Sequence, residues 1–188
     1  MKTAIPLAGL ALALLLSLPT AAAPRSVTDP EAPRSLPDEG PVSVSWADPA
    51  QFRELRNSHN RWESQRGNWV AKLAEHLRTR TAKALPAGQR IEFNITDIDL
   101  AGDYEPWRSH NMQDVRIVRD FYPPRMSFTF TRYGEDGQVI DQGERKLVDM
   151  GFLTGASPLQ NDALRYEKRM VDDWVRREFK PDRELSTR

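Results

Sequence analysis

The chain has 188 residues, and its 27 Lys and Arg residues balance 27 Asp and Glu residues, so the formal net charge is zero. A chain without excess positive charge has no bulk attraction for nucleic acid, and no specific nucleic-acid partner is expected. The sequence holds no Cys, which excludes thiol nucleophiles, thiolate metal sites and disulfides and leaves packing to stabilise the fold.

The first 23 residues have the pattern of a secretory signal peptide. Lys2 precedes an apolar run from Ile5 to Leu18, and small residues follow before Pro24. This run is shorter than the roughly 20 apolar residues that cross a bilayer, so we predict a cleaved leader and no transmembrane segment after cleavage. The leader is typical of bacteria, and the expected location of the mature protein is periplasmic or secreted.

Residues 24–41 are predicted to form a disordered, Pro-rich tail. They hold five Pro and four acidic residues, and such a composition buries too little apolar surface to offset the entropy lost on ordering. A single domain is expected over residues 42–180, and residues 181–188 form a short C-terminal tail. No internal repeat divides this domain.

The domain begins with alternating apolar and polar residues over 42–46, which predict a first strand. Apolar residues at helical spacing then predict one long helix from Trp62 to Ala84. The next strand starts at Ile91, and its apolar residues change parity after Ile95. One extra residue exchanges the faces of a strand, so we predict a β-bulge near Asp97.

The second half of the domain is predicted to contain a hairpin followed by a helix. Met126, Phe128 and Phe130 alternate with polar residues, and a Gly-containing turn leads to a partner strand over 139–148. Apolar residues three and four apart then predict a helix from Asp162 to Phe179. Its exposed face carries opposite charges four residues apart, which predicts ion pairs between residues 168 and 172, 169 and 173, 172 and 176, and 173 and 177.

Together these elements predict an α+β fold, with two amphipathic helices packed on one face of a mostly antiparallel four-stranded sheet. The first strand, the long helix and the second strand are expected to form a right-handed crossover, whose two strands run parallel. The hairpin supplies the antiparallel part of the sheet.

The best candidate site is the acidic loop, which we define as residues 96–108. Its charged and aromatic residues predict a ligand- or partner-binding surface formed by Asp99, Asp103, Tyr104, Glu105, Trp107 and Arg108. Three alternatives stay open: structural ion pairs with nearby Arg residues, a plug of the core by Trp107, and a hydrolase site. In the hydrolase, Asp97, Asp99 and His110 would act as bases or as ligands of a divalent cation.

No catalytic or cofactor motif accompanies this loop. The sequence lacks a phosphate loop, a dinucleotide fingerprint, a nucleophile elbow and a paired-His metal signature. We therefore assign no metal, no cofactor and no catalytic residue. His59 is expected to be solvated, and His76 is expected to pack at the edge of the first helix. The stretch from Arg53 to Arg90, with nine basic and three acidic residues, leaves a salt-sensitive polyanion-binding face as a further hypothesis.

Four parts of the chain carry a recognisable set of motifs: Asp97-Ile98-Asp99-Leu100-Ala101-Gly102, Tyr122-Pro123-Pro124-Arg125, Gly143-Glu144-Arg145-Lys146-Leu147 and Asp172-Asp173-Trp174. They resemble a family of exported bacterial proteins, the domain of unknown function 3016, over residues 42–180. The family implies export, in agreement with the leader, and implies no reaction, substrate or cofactor. We therefore expect a non-enzymatic periplasmic module that binds an unknown envelope component or protein, and its oligomeric state is left open.

Overall fold

The computed structural model describes residues 26–154 and 161–180, so the predicted signal peptide and C-terminal tail lie outside the described residues. Within these residues there are six strands and four helices: β1 Val42–Trp46, α1 Arg53–Asn57, α2 Arg61–Ser64, α3 Trp69–Ala84, β2 Arg90–Asp99, β3 Asp103–Tyr104, β4 Arg116–Ile117, β5 Arg125–Tyr133, β6 Val139–Val148 and α4 Arg165–Glu178. None of these helices is both long and apolar enough to cross a bilayer.

Four strands form a mixed sheet in the order β1-β2-β5-β6, and the predicted α+β fold class is confirmed. β1 runs parallel to β2, whereas β5 runs antiparallel to both of its neighbours, β2 and β6. The predicted bulge is also confirmed, because the register between β2 and β5 shifts from Ile95 opposite Phe128 to Asp97 opposite Ser127. Strands β3 and β4 form a separate two-stranded ribbon.

The core lies between the sheet and the two long helices, α3 and α4. Alternate residues of β2 and β5 face it and are almost fully buried, as are Leu73 and Leu77 of α3. Trp174 of α4 packs edge-on against Phe93 and Phe128, with ring centroids 5.9 and 4.9 Å apart. Aromatic pairs in this geometry contribute beyond the burial of their area, so the largest side chain of α4 fixes the helix on the sheet.

The predicted long helix from Trp62 to Ala84 is wrong at its N-terminal end, where the chain forms two helices. α2 ends at Ser64 and α3 begins at Trp69, because Gly67 adopts a φ of +83°, in the left-handed region that interrupts an α-helix. The indole Nε1 of Trp69 donates to the carbonyl oxygen of Ser64 at 2.8 Å. Trp62 is 69% exposed and takes no part in the core, so the apolar stripe begins only at Trp69.

None of the four predicted i,i+4 ion pairs within α4 is observed: Asp173 pairs instead with Arg176, three residues on, and other residues of the set contact other elements. The helix begins at Arg165, three residues later than predicted. Arg169 donates to Asp149, which follows β6, at 3.0 Å. Asp172 lies 2.8 Å from Nε2 of His76 on α3. Because α4 packs against α3 and the end of β6, Arg169 and Asp172 lie closer to these partners than to the charged residues one turn further along α4. The i,i+4 pattern therefore does not decide the pairing.

Residues 26–41 are ordered against the domain, which differs from the predicted disordered tail. The backbone N–H of Leu36 donates to Val44, and that of Trp46 donates to Arg34, both at 2.9 Å, so this segment covers the outer edge of β1. The segment is held in place despite its polar composition because the edge of the sheet supplies hydrogen bonds that the segment cannot make within itself.

Candidate functional site

The acidic loop starts at the bulged end of β2, where the chain turns back to pair with β4. Gly102 makes this turn with a φ of +82°, and a Cβ at this position would lie 2.7 Å from the carbonyl oxygen of Ile117. Only Gly fits this turn without strain. Asp99 precedes the turn and Asp103 follows it, so both carboxylates reach the same cleft.

This cleft has a volume of about 310 Å³ and is formed by three segments that are distant in the sequence. The first is α1 with the residues after it, the second is the acidic loop, and the third is the stretch that leads into β5. Their lining side chains combine both signs of charge with amide, hydroxyl and aromatic groups: Arg53, Glu54, Asn57, Ser58, His59, Asp99, Leu100, Asp103, Phe121, Tyr122, Pro123 and Arg125. A concave site with a few convergent polar groups is the default place for a ligand.

His59 and Asp103 form a hydrogen-bonded pair within this lining. Nδ1 of His59 lies 2.6 Å from Oδ2 of Asp103, and the other carboxylate oxygen accepts the backbone N–H of Tyr104 at 2.7 Å. The ring of His59 also meets that of Trp107 edge-on, with centroids 4.9 Å apart. Because Asp103 fixes the imidazole through Nδ1, Nε2 is the nitrogen left to interact with a ligand.

Asp99 is a cleft carboxyl with a strongly raised pKa. Burial raises the pKa of this group from 3.8 to about 6, and the negative charge of Glu54 adds to the rise. The guanidinium of Arg53 opposes it, and Nε of Arg125 approaches the carboxylate to 3.9 Å. A carboxyl that titrates near neutrality, with 27% of its side chain still exposed, can exchange a proton with a bound molecule.

A largely buried ion pair, whose acidic member lines the cleft, holds the backbone of the acidic loop in place. Glu54 contacts the guanidinium of Arg116 and also accepts the backbone N–H of Leu100 at 3.0 Å. Arg116 in turn donates to the carbonyl oxygen of Gly102 at 2.8 Å. The turn between Asp99 and Asp103 is thus fixed by side chains from α1 and β4.

Glu167 of α4 approaches the same turn from the core. Its Oε1 accepts the backbone N–H of Ala101 at 2.7 Å, whereas the buried Oε2 has no hydrogen-bond partner among the described residues. The residue is only 2% exposed, and burial raises the pKa of its carboxyl from 4.5 to about 7, against the hydrogen bond from Ala101 and the charge of Arg116. Below neutral pH the folded protein therefore holds Glu167 mainly as the neutral acid.

Four of the six residues predicted for the binding surface are accessible. Asp99 and Asp103 line the cleft, and Trp107 stands beside His59 with 61% of its surface exposed. A plug of the core therefore does not describe Trp107. Arg108 is exposed on the same loop. The cleft is therefore flanked by the large indole ring of Trp107.

The other two predicted residues, Tyr104 and Glu105, are buried. The guanidinium of Arg116 lies over the ring of Tyr104, 4.9 Å from its centroid. Glu105 forms ion pairs with Arg108 at 2.8 Å and with Arg119 at 2.7 Å. These contacts match the structural ion pairs that the sequence left open, and they place Tyr104 and Glu105 in the support of the loop.

The three residues considered for a hydrolase are not brought together. Asp97 accepts the backbone N–H of Arg53 at 2.6 Å and so holds the start of α1. His110 bonds to the side chain of Gln113 at 3.0 Å, and neither Asp97 nor His110 lines the cleft with Asp99. In residues 26–154 and 161–180, no three His, Asp or Glu side chains are grouped so as to hold a metal ion.

Sequence reasoning missed the contribution of His59 and Phe121 to this site. The partner of His59, Asp103, stands 44 positions further along the chain, so no local spacing marks the pair. Phe121 is 61% exposed and contacts Tyr122 in a tilted arrangement, with ring centroids 4.4 Å apart and ring planes at 58°. The only sequence signal was an aromatic pair before two Pro residues, which equally fits a rigid connector.

Comparison with curated proteins and with solved structures gives no match to the chain. The family model described as "Protein of unknown function (DUF3016)" matches residues 40–177. The matched stretch contains the whole four-stranded sheet, the three segments of the cleft and all but the last residue of α4. The chain therefore belongs to this family of proteins of unknown function.

Proposed function

We propose that the chain is an exported, non-enzymatic binding module that holds a hydroxyl- and amide-rich component of the cell envelope, a glycan, in the cleft. The observation that carries this proposal is the convergence of three distant segments on one cleft. The polar groups of the cleft are already oriented by the protein. The exposed ring of Phe121 lies in the cleft, and that of Trp107 lies beside it. Export itself rests on the leader pattern of the sequence.

The lining suits such a ligand because it combines polar groups with an apolar ring face. Asp99 and Asp103 offer oxygens that accept hydrogen bonds from hydroxyl groups, whereas Arg53 and Arg125 offer donors for ring and carbonyl oxygens. The ring of Phe121 supplies apolar contact area for the C–H face of a sugar. Since charges of both signs stand close together, the cleft favours a ligand that is polar without a large net charge.

A polyanion is a weaker candidate, because much of the basic stretch from residue 53 to residue 90 is already neutralised. Five of its nine basic residues pair with carboxylates: Arg53, Arg66, Arg78, Arg80 and Arg90. Positive charge that is paired within the protein releases few counterions when an anion binds. We therefore expect binding in the cleft to depend only weakly on salt.

The test is a calorimetric titration of the purified protein with soluble peptidoglycan fragments. We expect saturable binding, and we expect Phe121→Ala to weaken it by at least about tenfold, since the apolar face of the site is lost. Trp107→Ala is expected to act in the same direction. Trp62→Ala is the matched control, because Trp62 is at least as exposed as Phe121 and Trp107 and does not line the cleft. Absence of binding, or equal losses in all three variants, would contradict the proposal.

A second candidate function, carboxylate-dependent hydrolysis, is favoured by the raised pKa of Asp99. Below about pH 6 this group is a neutral acid that can protonate a leaving group, and His59, held by Asp103, can accept a proton from water. Asp97 and His110 have no part in it. The expected result is that Asp99→Asn binds the fragments but does not cleave them, and that cleavage by the wild type falls as the pH rises through about 6. Undiminished cleavage by Asp99→Asn would rule it out.

A further inference from the structure

The two edges of the sheet differ in how the chain covers them. Residues 34–36 cover the outer edge of β1 through backbone hydrogen bonds to Val44 and Trp46. The outer edge of β6, at the opposite side of the sheet, has no strand beside it among the described residues. β6 is ten residues long, and an uncovered edge of that length is a template for the addition of another strand.

The hydrogen-bond pattern shows which backbone groups of β6 point outward. Asp149 donates to the carbonyl oxygen of Pro124, and this contact continues the β5–β6 register. Hydrogen-bonded and non-hydrogen-bonded pairs alternate along antiparallel strands, so the odd-numbered residues of β6 bond to β5. The even-numbered residues, among them Gln142, Glu144 and Lys146, therefore point their N–H and C=O groups away from β5.

Exposed apolar side chains occur at both ends of the same strand and just after it. Within the described residues, ten large hydrophobic side chains are exposed, and five of them lie in β6 or just after it: Val139, Ile140, Val148, Met150 and Leu153. Val139 and Ile140 lie at the start of β6 and Val148 lies at its end, so exposed apolar side chains flank both ends of the open edge.

We propose that β6 pairs antiparallel with β6 of a second copy of this chain, about a two-fold axis at Gly143, so that two four-stranded sheets join into one. The charges of the strand identify this partner. In this register Asp141 lies opposite Arg145 of the second copy, and Gln142 lies opposite Glu144. The two-fold axis repeats both contacts, and opposite charges directly across neighbouring strands stabilise a sheet.

The geometry of β6 favours this register over its neighbours. Asp141 and Arg145 lie on the half-buried face of the strand, where Arg145 also bonds to Glu178 of α4 at 2.7 Å. Gly143, at the axis, has no side chain to oppose the close approach of two backbones. An axis at Glu144 would place two Glu144 carboxylates opposite each other and would lose both Asp141–Arg145 contacts. Charged side chains commonly protect an edge strand from pairing with another chain. In β6 they instead favour one register of pairing over the others.

The test is the oligomeric state of the purified protein, measured by sedimentation equilibrium from micromolar to near-millimolar concentration. We expect a monomer–dimer equilibrium for the wild type. Asp141→Arg sets like charges opposite each other at both symmetric contacts and is expected to raise the dissociation constant by at least about tenfold. Glu144→Pro removes an outward N–H without removing a bond to β5, and the same effect is expected. A monomeric wild type, or undiminished dimerisation of Asp141→Arg, would overturn the proposal.

Mixing two variants separates the pairing from any damage to the fold. Arg145→Asp repels its own copy, as Asp141→Arg does, yet the two variants are complementary because one is basic at both positions and the other is acidic. We expect each variant alone to be mainly monomeric and their equimolar mixture to form mixed dimers. Thermal unfolding of each variant is recorded as well, because Arg145→Asp loses its bond to Glu178. A mixture of folded variants that stays monomeric would also overturn the proposal.

Discussion

Replacement of Glu167 by Gln is expected to stabilise the protein at and above neutral pH. Gln has nearly the same shape, keeps an oxygen that can accept the backbone N–H of Ala101, and carries no charge. In the wild type, burial raises the pKa of the Glu167 carboxyl from 4.5 to about 7. Ionising this carboxyl therefore destabilises the folded state relative to the unfolded state, and the variant escapes that effect.

The size of the effect follows from the linkage between ionisation and folding. The difference between a pKa of 4.5 and one of about 7, at roughly 1.4 kcal/mol per pH unit, corresponds to about 3 kcal/mol of unfolding free energy. Below pH 4.5 the carboxyl is neutral in both states and contributes nothing. Between pH 4.5 and about 7 only the unfolded state ionises, so the stability of the wild type falls as the pH rises. Above that range the loss is constant.

The assay is urea unfolding of the wild type and Glu167→Gln at a series of pH values from about 4 to about 9. We expect equal stabilities at the acidic end and a gap of up to about 3 kcal/mol in favour of the variant at the alkaline end. Glu75→Gln, at an exposed carboxylate of α3, is the control and should change stability by less than about 0.5 kcal/mol throughout. A gap that does not vary with pH, or a variant less stable than the wild type at alkaline pH, would refute this reasoning.

Three further substitutions test the framework around the cleft and the core. Arg116→Ala is expected to lower the unfolding free energy by about 3–5 kcal/mol, because Glu54 is left buried without its partner; a loss below about 1 kcal/mol in urea unfolding would contradict this. Gly102→Ala is expected to cost at least about 1 kcal/mol, since its φ is +82° and the new Cβ meets the carbonyl oxygen of Ile117. Unchanged thermal unfolding would show that the turn is not fixed. Trp174→Ala is expected to cost about 3–5 kcal/mol through the cavity it leaves, and a well-folded variant of wild-type stability would place the aromatic cluster outside the folding core.

The four strands of the mixed sheet were predictable because the side chains that face the core recur with the period of the backbone. Val42, Val44 and Trp46 alternate along β1, and the change of parity after Ile95 revealed the bulge at Asp97 that the structure confirms. The same reasoning fails where an apolar side chain stays outside the core. Trp62 extends the apolar pattern by chance, so the break before α3 was missed.

The cleft was only half predictable. Asp99 and Asp103 drew attention because carboxylates cluster in the acidic loop, and both line the cleft. Tyr104 and Glu105 belong to the same cluster, yet they face inward and support the loop. His59 and Phe121 come from other segments, and no pattern in their neighbourhood indicates that the fold places them beside Asp99.

The sequence by itself determined the fold class, the four strands of the mixed sheet and the two long helices, because burial of apolar side chains has a local period that can be read along the chain. Only the tertiary structure decided the polar contacts: Asp103 with His59, Glu167 with Ala101, and Asp172 with His76. Hydrogen bonds and ion pairs act over about 3 Å, between residues whose separation along the chain is unrelated to their distance in space. Their partners, and with them the cleft, are therefore set only once the helices have packed on the sheet.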